Sequence, residues 1–447
     1  MGEQKDRASR RRRNPAERIL GARLTRRQLL AGALGAAGSA ALSRVAMGQA
    51  PPQPIDTTKI PGFPAPLVGE SAIFEQPFRL QVGSQSLFAP LDRLHGIITP
   101  SSVHFVVSHA GTADVDPRTY KLLVHGMVDS TKVFTLTDLK RFPSVSTIYS
   151  IECSGNSANA WFPPVETDSV QNVHGLTSTS EWTGVPLSTL LKEVGVKQGA
   201  TWMLAESQDA AVFARSIPTA KGLDDILVAY GQNGEALRPE QGYPIRLVVP
   251  GWEGSVNIKW LRRLELTDKP FMGRNETAQY TDVMPDGTAL QFTFEMGVKS
   301  VITWPSGGYR VPESGFWEIV GLAWSGAGKI ARVEVTTDGG RTWGEARLQE
   351  PILPLAHTRF RFPWVWDGKQ AVLMSRAIDE NGEVQPILDD LVQARGLDSI
   401  YHNNSIQAWK VDRDGNVVST HDPFITALAF PDLTRGALHT GYPGCLV

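Results

Sequence analysis

A chain of 447 residues, 41% apolar and 20% charged, is long enough for two domains and has the make-up of a globular protein. Its formal charge of −2 gives no strong pull towards nucleic acid or an anionic membrane surface. Its two cysteines, Cys153 and Cys445, exclude a disulfide framework, a zinc cluster and a C-x-x-C-H haem attachment.

The N-terminus is strongly basic, with Arg10 to Arg13, Arg18, Arg23, Arg26 and Arg27. A weakly apolar Ala/Gly run over residues 28–42 follows, too short and too Gly-rich to span a membrane. Thr25-Arg-Arg-Gln-Leu-Leu30 has the form of a twin-arginine export signal, with small-residue cleavage options at residues 46–50. Residues 1–50 are therefore expected to be a signal peptide and the mature chain to be periplasmic. Residues 51–94 read as a Pro- and Gly-rich linker and N-terminal extension.

From His104 the chain alternates short apolar runs with loops. His104–His109, Tyr120–Val128 and Val133–Leu136 read as strands, and residues 137–142 as a short capped helix before Pro143. Val145–Glu152 is a β-branched run that enters Cys153-Ser-Gly-Asn156, a turn of small residues. Residues 181–194 hold an amphipathic helix with Pro186 in its first turn and Gly195 as its stop. Residues 200–205, Pro244–Pro250 and Asn257–Leu266 read as strands, the second carrying Arg246 inside an apolar run. Residues 267–291 have no clear period. From Phe292 onward, short strands alternate with Gly-rich turns, as in Lys329–Thr337, Asp338-Gly-Gly340 and Arg341–Leu348. That spacing predicts an immunoglobulin-like all-β sandwich over 292–416 after an α+β domain over 95–291. Asp412–Asn416 reads as a hairpin turn, and 417–447 as a loop-like tail.

A thiol at the end of a strand beside a glycine turn fits three roles. It is a buried structural cysteine, a nucleophile served by a histidine such as His109, His125 or His174, or one soft ligand to a metal. One protein sulfur is too few for zinc or an iron–sulfur cluster, but suffices for a metal that arrives in an organic chelate. A bulky phosphorylated chelate calls for scattered cationic contacts, for which Arg246, Lys259 and His109 are candidates. Arg246 stands out because charges in apolar strands rarely sit unpaired.

Cys153-Ser-Gly-Asn156 resembles the Cys-x-Gly-Asn motif of the sulfite oxidase family. Glu181–Leu187, Arg215-Ser-Ile-Pro218, Leu227–Glu235, Gly242–Gly251, Lys259-Trp-Leu261, Lys299–Thr303, Gly321–Gly326 and Val333–Trp343 recur there in the same order. Within the family, His95–Pro100, Asn233–Pro244, Pro250–Gly254 and Tyr401–Asn404 are most similar to the SoxC type, the molybdenum subunit of sulfane dehydrogenase. The resemblance implies a molybdenum–molybdopterin cofactor with Cys153 as the metal ligand. It implies His109, Asp209, Arg246 and Lys259 as the residues that hold the pterin and its phosphate. It also implies that the second domain forms a homodimer.

The chain departs from members that act on free sulfite. Val107, Ala158 and Phe213 stand where those have two arginines and a tyrosine, and Gln241 aligns with a pterin histidine. A free dianion needs bidentate cations, so their loss points to sulfur held another way, as on a carrier protein. Arg215 is the candidate catalytic residue to replace part of that charge. The expected activity is oxidation of sulfite or carrier-bound sulfane sulfur, with electrons leaving to a c-type cytochrome because the chain has no haem motif. A sulfoxide reductase of the same superfamily, typically lacking the β domain, and a non-enzymatic binding module with a decayed site are the alternatives.

Overall fold

The computed structural model describes residues 74–421 except 399, together with 59, 61, 62, 64, 65, 67–69, 71 and 72. The expected export signal and Cys445 lie outside the described residues. The described residues up to Ser71 form a separate stretch, and the unit considered below begins at Ala72.

Beside a three-stranded sheet of Leu80–Val82, Ser86–Phe88 and Val106–Val107 and a pair of Thr281–Val283 with Ala289–Gln291, two five-stranded sheets make up most of the first half. One runs in the order Glu235–Ala236, Leu227–Gln232, Thr177–Pro186, Val145–Glu152, with Arg246–Val248 also paired to Leu227–Gln232. The other runs Lys132–Thr135, Lys121–Gly126, Leu261–Thr267, Trp202–Ser207, Ala214–Pro218. Only Leu261–Thr267 and Lys121–Gly126 pair in parallel; the other neighbours are antiparallel. The helix Leu187–Val194 buries Leu187, Leu190, Leu191 and Val194. These positions fall on one helical face, and Gly195 at φ 69° ends the helix as its C-cap. The residues before Leu187, expected to lie near that helix, instead complete the ten-residue strand Thr177–Pro186.

The strand that leads to Cys153 lies at the edge of its sheet. It pairs antiparallel with Thr177–Pro186 from Val145 opposite Gly184 to Glu152 opposite Thr177. The Cys153 N–H then donates to the Leu176 carbonyl at 2.9 Å, extending the ladder one step past the strand end. The short run after it is a turn closed by the Asn156 N–H on the Cys153 carbonyl, also at 2.9 Å.

The second half is a two-sheet β sandwich, as its alternating pattern predicts. One sheet orders Lys299–Trp304, Gly315–Trp324, Thr358–Trp366, Arg347–Gln349; the other orders Gly344–Glu345, Ile330–Thr336, Ala371–Asp379, Ala408–Val411, Val417–Thr420. Val333, Val335, Phe360, Leu373 and Trp409 are buried between them. Three details differ from the expectation. The return after Gly340 divides between the two sheets, since Gly344–Glu345 joins one and Arg347–Gln349 the other. A helix, Leu388–Arg395, interrupts the all-β pattern, burying Leu388 and Leu391 against Trp161 of the first half. The start of the tail is not loop-like: Val417–Thr420 is a strand paired with Ala408–Val411 through the Asp412–Asn416 turn. Among the described residues no helix is long and apolar enough to cross a membrane.

Candidate active site

The open end of the Cys153 strand faces a cleft of about 660 Å³ counting its mouth. His109, Cys153, Asp209, Arg246 and Lys259 all line it, although they come from separate stretches of the chain. Gly254 lets its loop lie flat on the cysteine turn. A Cβ there would sit 3.1 Å from the Glu152 carbonyl oxygen and 3.2 Å from Cys153 Cα. The Cys153 side chain is half-buried at the cleft wall.

The cations sit deep. Arg246 is 4% exposed, and its guanidinium lies 4.9 Å from the centre of the Trp182 ring. It donates to the carbonyls of Gln241 at 3.0 Å and Asn257 at 3.3 Å. Lys259 Nζ donates to the Val107 carbonyl at 2.9 Å, the Glu240 carbonyl at 3.1 Å and the Ser108 hydroxyl at 3.2 Å. These partners are neutral oxygens. Burial accordingly pushes Arg246 down to about 9, and burial with the nearby Arg246 charge pushes Lys259 down to about 7. Asp209 and Glu240 pull Lys259 the other way.

His109 packs on Phe213, with ring centres 4.3 Å apart, and its Nε2 lies 3.0 Å from the Tyr280 hydroxyl. Burial, then the Lys259 charge, hold its imidazole down at about 4, so it is neutral at pH 7. Asp209 is oriented from behind, since its Oδ1 accepts the Phe213 N–H at 3.0 Å. Arg215 is not among the cleft-lining residues. It is fully buried, with Nη1 2.7 Å from Glu253 and Nε 2.9 Å from Glu276, and its guanidinium lies 4.5 Å from the Tyr280 ring centre. Its charge therefore serves two carboxylates. Val107 and Phe213 do line the cleft, whereas Ala158 is not among its lining residues.

Several lining residues were not legible as site residues. His104 is 1% exposed, with Nδ1 3.1 Å from the Phe105 carbonyl. A carbonyl only accepts, which assigns the proton to Nδ1 and leaves Nε2 a bare, buried acceptor without a partner among the described residues. Ser255, Asn257 and Tyr280 also reach the cleft. A histidine opening a short apolar run and a tyrosine in an unpatterned stretch give no periodic signal. Gln241, flagged in the sequence only by alignment, bridges Phe105 and Arg246.

These features fit a molybdopterin. The cleft offers one thiol for the metal and two buried cations that a phosphate would neutralise. A carboxylate at Asp209 and the orphan acceptor of His104 suit the N–H groups of a pterin ring.

Known proteins agree. The chain matches the description "Oxidoreductase molybdopterin binding domain" over residues 109–275 and "Mo-co oxidoreductase dimerisation domain" over 291–409. It is 31% identical to the sulfite oxidase of Gallus gallus over 346 residues, which is 69% of this chain and 73% of that one. The mitochondrial sulfite oxidase of Mus musculus is 30% identical over 321 residues, 65% of this chain and 58% of the mouse protein. The NADH nitrate reductase of Solanum lycopersicum is 32% identical over 310 residues, 62% of this chain and 34% of that protein. The crystal structure of the sulfane dehydrogenase SoxCD from Paracoccus pantotrophus is similar, with TM-score 0.79 and 42% identity over 83% of this chain and 100% of that chain. The chain belongs to the sulfite oxidase family of molybdenum oxidoreductases, and its cofactor is molybdenum carried by molybdopterin.

Proposed function

We propose that the enzyme oxidises sulfite or carrier-bound sulfane sulfur in the periplasm, passing electrons to a c-type cytochrome and working as a homodimer through its β sandwich. Cys153 is the protein ligand to the metal. His109, Asp209, Arg246 and Lys259 hold the pterin and its phosphate. When bound, the molybdenum supplies an electrophilic two-electron redox centre for oxygen transfer to sulfur.

The observation that carries this reading is the pairing of the Cys153 thiol with an apolar rim at Val107 and Phe213 in one cleft. A free dianion gains little from that rim, whereas a sulfur group on a protein arm brings its binding energy from elsewhere. The chain's own part is to place the cofactor, keep its phosphate side positively charged and keep His109 neutral beside Phe213. The likeness to sulfite oxidases and to the SoxCD structure supports sulfur as the element oxidised. A separate cytochrome is implied because electrons must leave singly and the sequence holds no haem attachment motif. The test is cytochrome c reduction by the loaded enzyme with free sulfite and with carrier-bound sulfur in parallel. Faster turnover of the carrier-bound form is expected; fast turnover of free sulfite alone would overturn the carrier reading.

A further inference from the structure

The residue before Cys153 is a buried carboxylate, and two of its partners come from the β sandwich. Glu152 is 4% exposed. Its Oε1 accepts from Asn156 Nδ2 at 2.8 Å and from Lys299 Nζ at 3.2 Å. Its Oε2 accepts from the Trp324 indole N–H at 2.6 Å. Lys299 is 1% exposed and also donates to the Ser157 hydroxyl at 2.5 Å and the Asn403 carbonyl at 2.7 Å. An ammonium has three protons, and here all three have acceptors.

The grip extends along the whole turn. The His402 N–H donates to the Ser154 carbonyl at 2.8 Å. Asn156 Oδ1 accepts the Leu176 N–H at 3.0 Å, tying the opposite side to the first domain. Ser157 sits at φ 68°, a left-handed conformation unusual outside glycine. Strained residues of this kind persist only where their surroundings over-determine them, and Lys299 and His174 both hold its hydroxyl.

Stability alone is a weak reason for this arrangement. A buried ion pair is often no more stabilising than apolar side chains of the same size. Its geometric effect is specific, because it pins Glu152 and Ser157 on either side of the cysteine turn. We infer that Lys299 and Trp324 are positioning residues that act through Glu152 and Ser157 to fix where the Cys153 sulfur enters the cleft. The β sandwich then does more than join subunits: it completes the metal-ligand turn of the other domain. The inference rests on Cys153 as the ligand.

The experiment uses the loaded enzyme with Trp324→Phe and Lys299→Met. Metal and pterin content, the Mo(V) electron paramagnetic resonance signal, amide hydrogen exchange over residues 153–157, and kcat and KM are measured for each. Trp324→Phe removes one hydrogen bond and keeps an aromatic ring. It is expected to retain full metal and pterin with a shifted Mo(V) signal. Exchange of the turn amides should be about tenfold faster, the size of one lost hydrogen bond to a charged group. A fall in kcat of about tenfold at unchanged KM should accompany it. Lys299→Met should move the same readouts further; if it does not fold, Trp324→Phe decides. A fully loaded Trp324→Phe enzyme with the unaltered signal and unaltered exchange would overturn the inference. Cys153→Ser separates the two claims. An unaltered Mo(V) signal in that variant removes the ligand assignment itself, whereas an unaltered Trp324→Phe removes only the positioning role.

Discussion

Arg215 Nη1 lies 2.7 Å from Glu253 Oε1, and both side chains are buried, at 0% and 2% exposure. Burial opposes ionisation of Glu253, yet Arg215 and His402 overcome it and hold its carboxyl down at about 2. Glu276 takes a second face of the same guanidinium at 2.9 Å. The pair belongs to the wall behind the cleft. Arg215→Met should therefore remove the guanidinium from two buried carboxylates and lower stability by about 3–5 kcal/mol. Denaturant unfolding against steady-state kinetics checks this. A variant of normal stability with a raised KM would assign Arg215 to the substrate instead.

Residue types out of place in their local pattern were legible. Arg246 is visible as a cation in an apolar strand, and Cys153 as a thiol at the end of a β-branched run. The two-domain plan follows from the change of rhythm near Phe292. What the sequence hides is set by long-range pairing. Glu152 meets Lys299 across 147 positions, and neither local pattern announces the other. Tyr280 and Glu276 lie on or just after a five-residue π-helical turn, Asn275–Gln279, which has no periodic signature over such a length.

Acid should destabilise the protein from about pH 6.5 downward. Burial is the first cause holding His104 and His357 at about 3 and His109 at about 4, and it drives His174 well below its ordinary 6.5. Between those values and 6.5 the unfolded chain binds protons that the folded chain refuses, so stability falls as pH falls. Each such group contributes up to about 1.4 kcal/mol per pH unit within its window. Melting temperature measured from pH 7.5 to 4.5 should drop steeply below 6.5; a flat profile would contradict the burial of these imidazoles.

Lys259 gives the cofactor-free protein the opposite end of the profile. Its folded value of about 7 lies below the ordinary 10.5, so between the two the unfolded chain holds a proton that the folded chain has released. Stability contributed by this group therefore rises as pH climbs from 7 towards 10.5. A bound phosphate favours the ammonium and should remove that rise. Melting curves of cofactor-free and loaded protein across this window should diverge; parallel curves would place the phosphate elsewhere.

Val107 lines the cleft, and its carbonyl already accepts from Lys259. Val107→Arg keeps that backbone contact and adds a cation at the apolar rim. A hydrogen bond to a charged group is worth about 1.5–3 kcal/mol, so kcat/KM for free sulfite should rise about tenfold or more. Carrier-bound sulfur should gain less. Equal gains for both substrates would show that the rim does not select between them.

The most direct test of the central claim is molybdenum K-edge X-ray absorption on the loaded enzyme and its Cys153→Ser variant. Ligation by Cys153 predicts one fewer sulfur neighbour at the metal in the variant, with the pterin still present. The same number of sulfur neighbours in both proteins would contradict it.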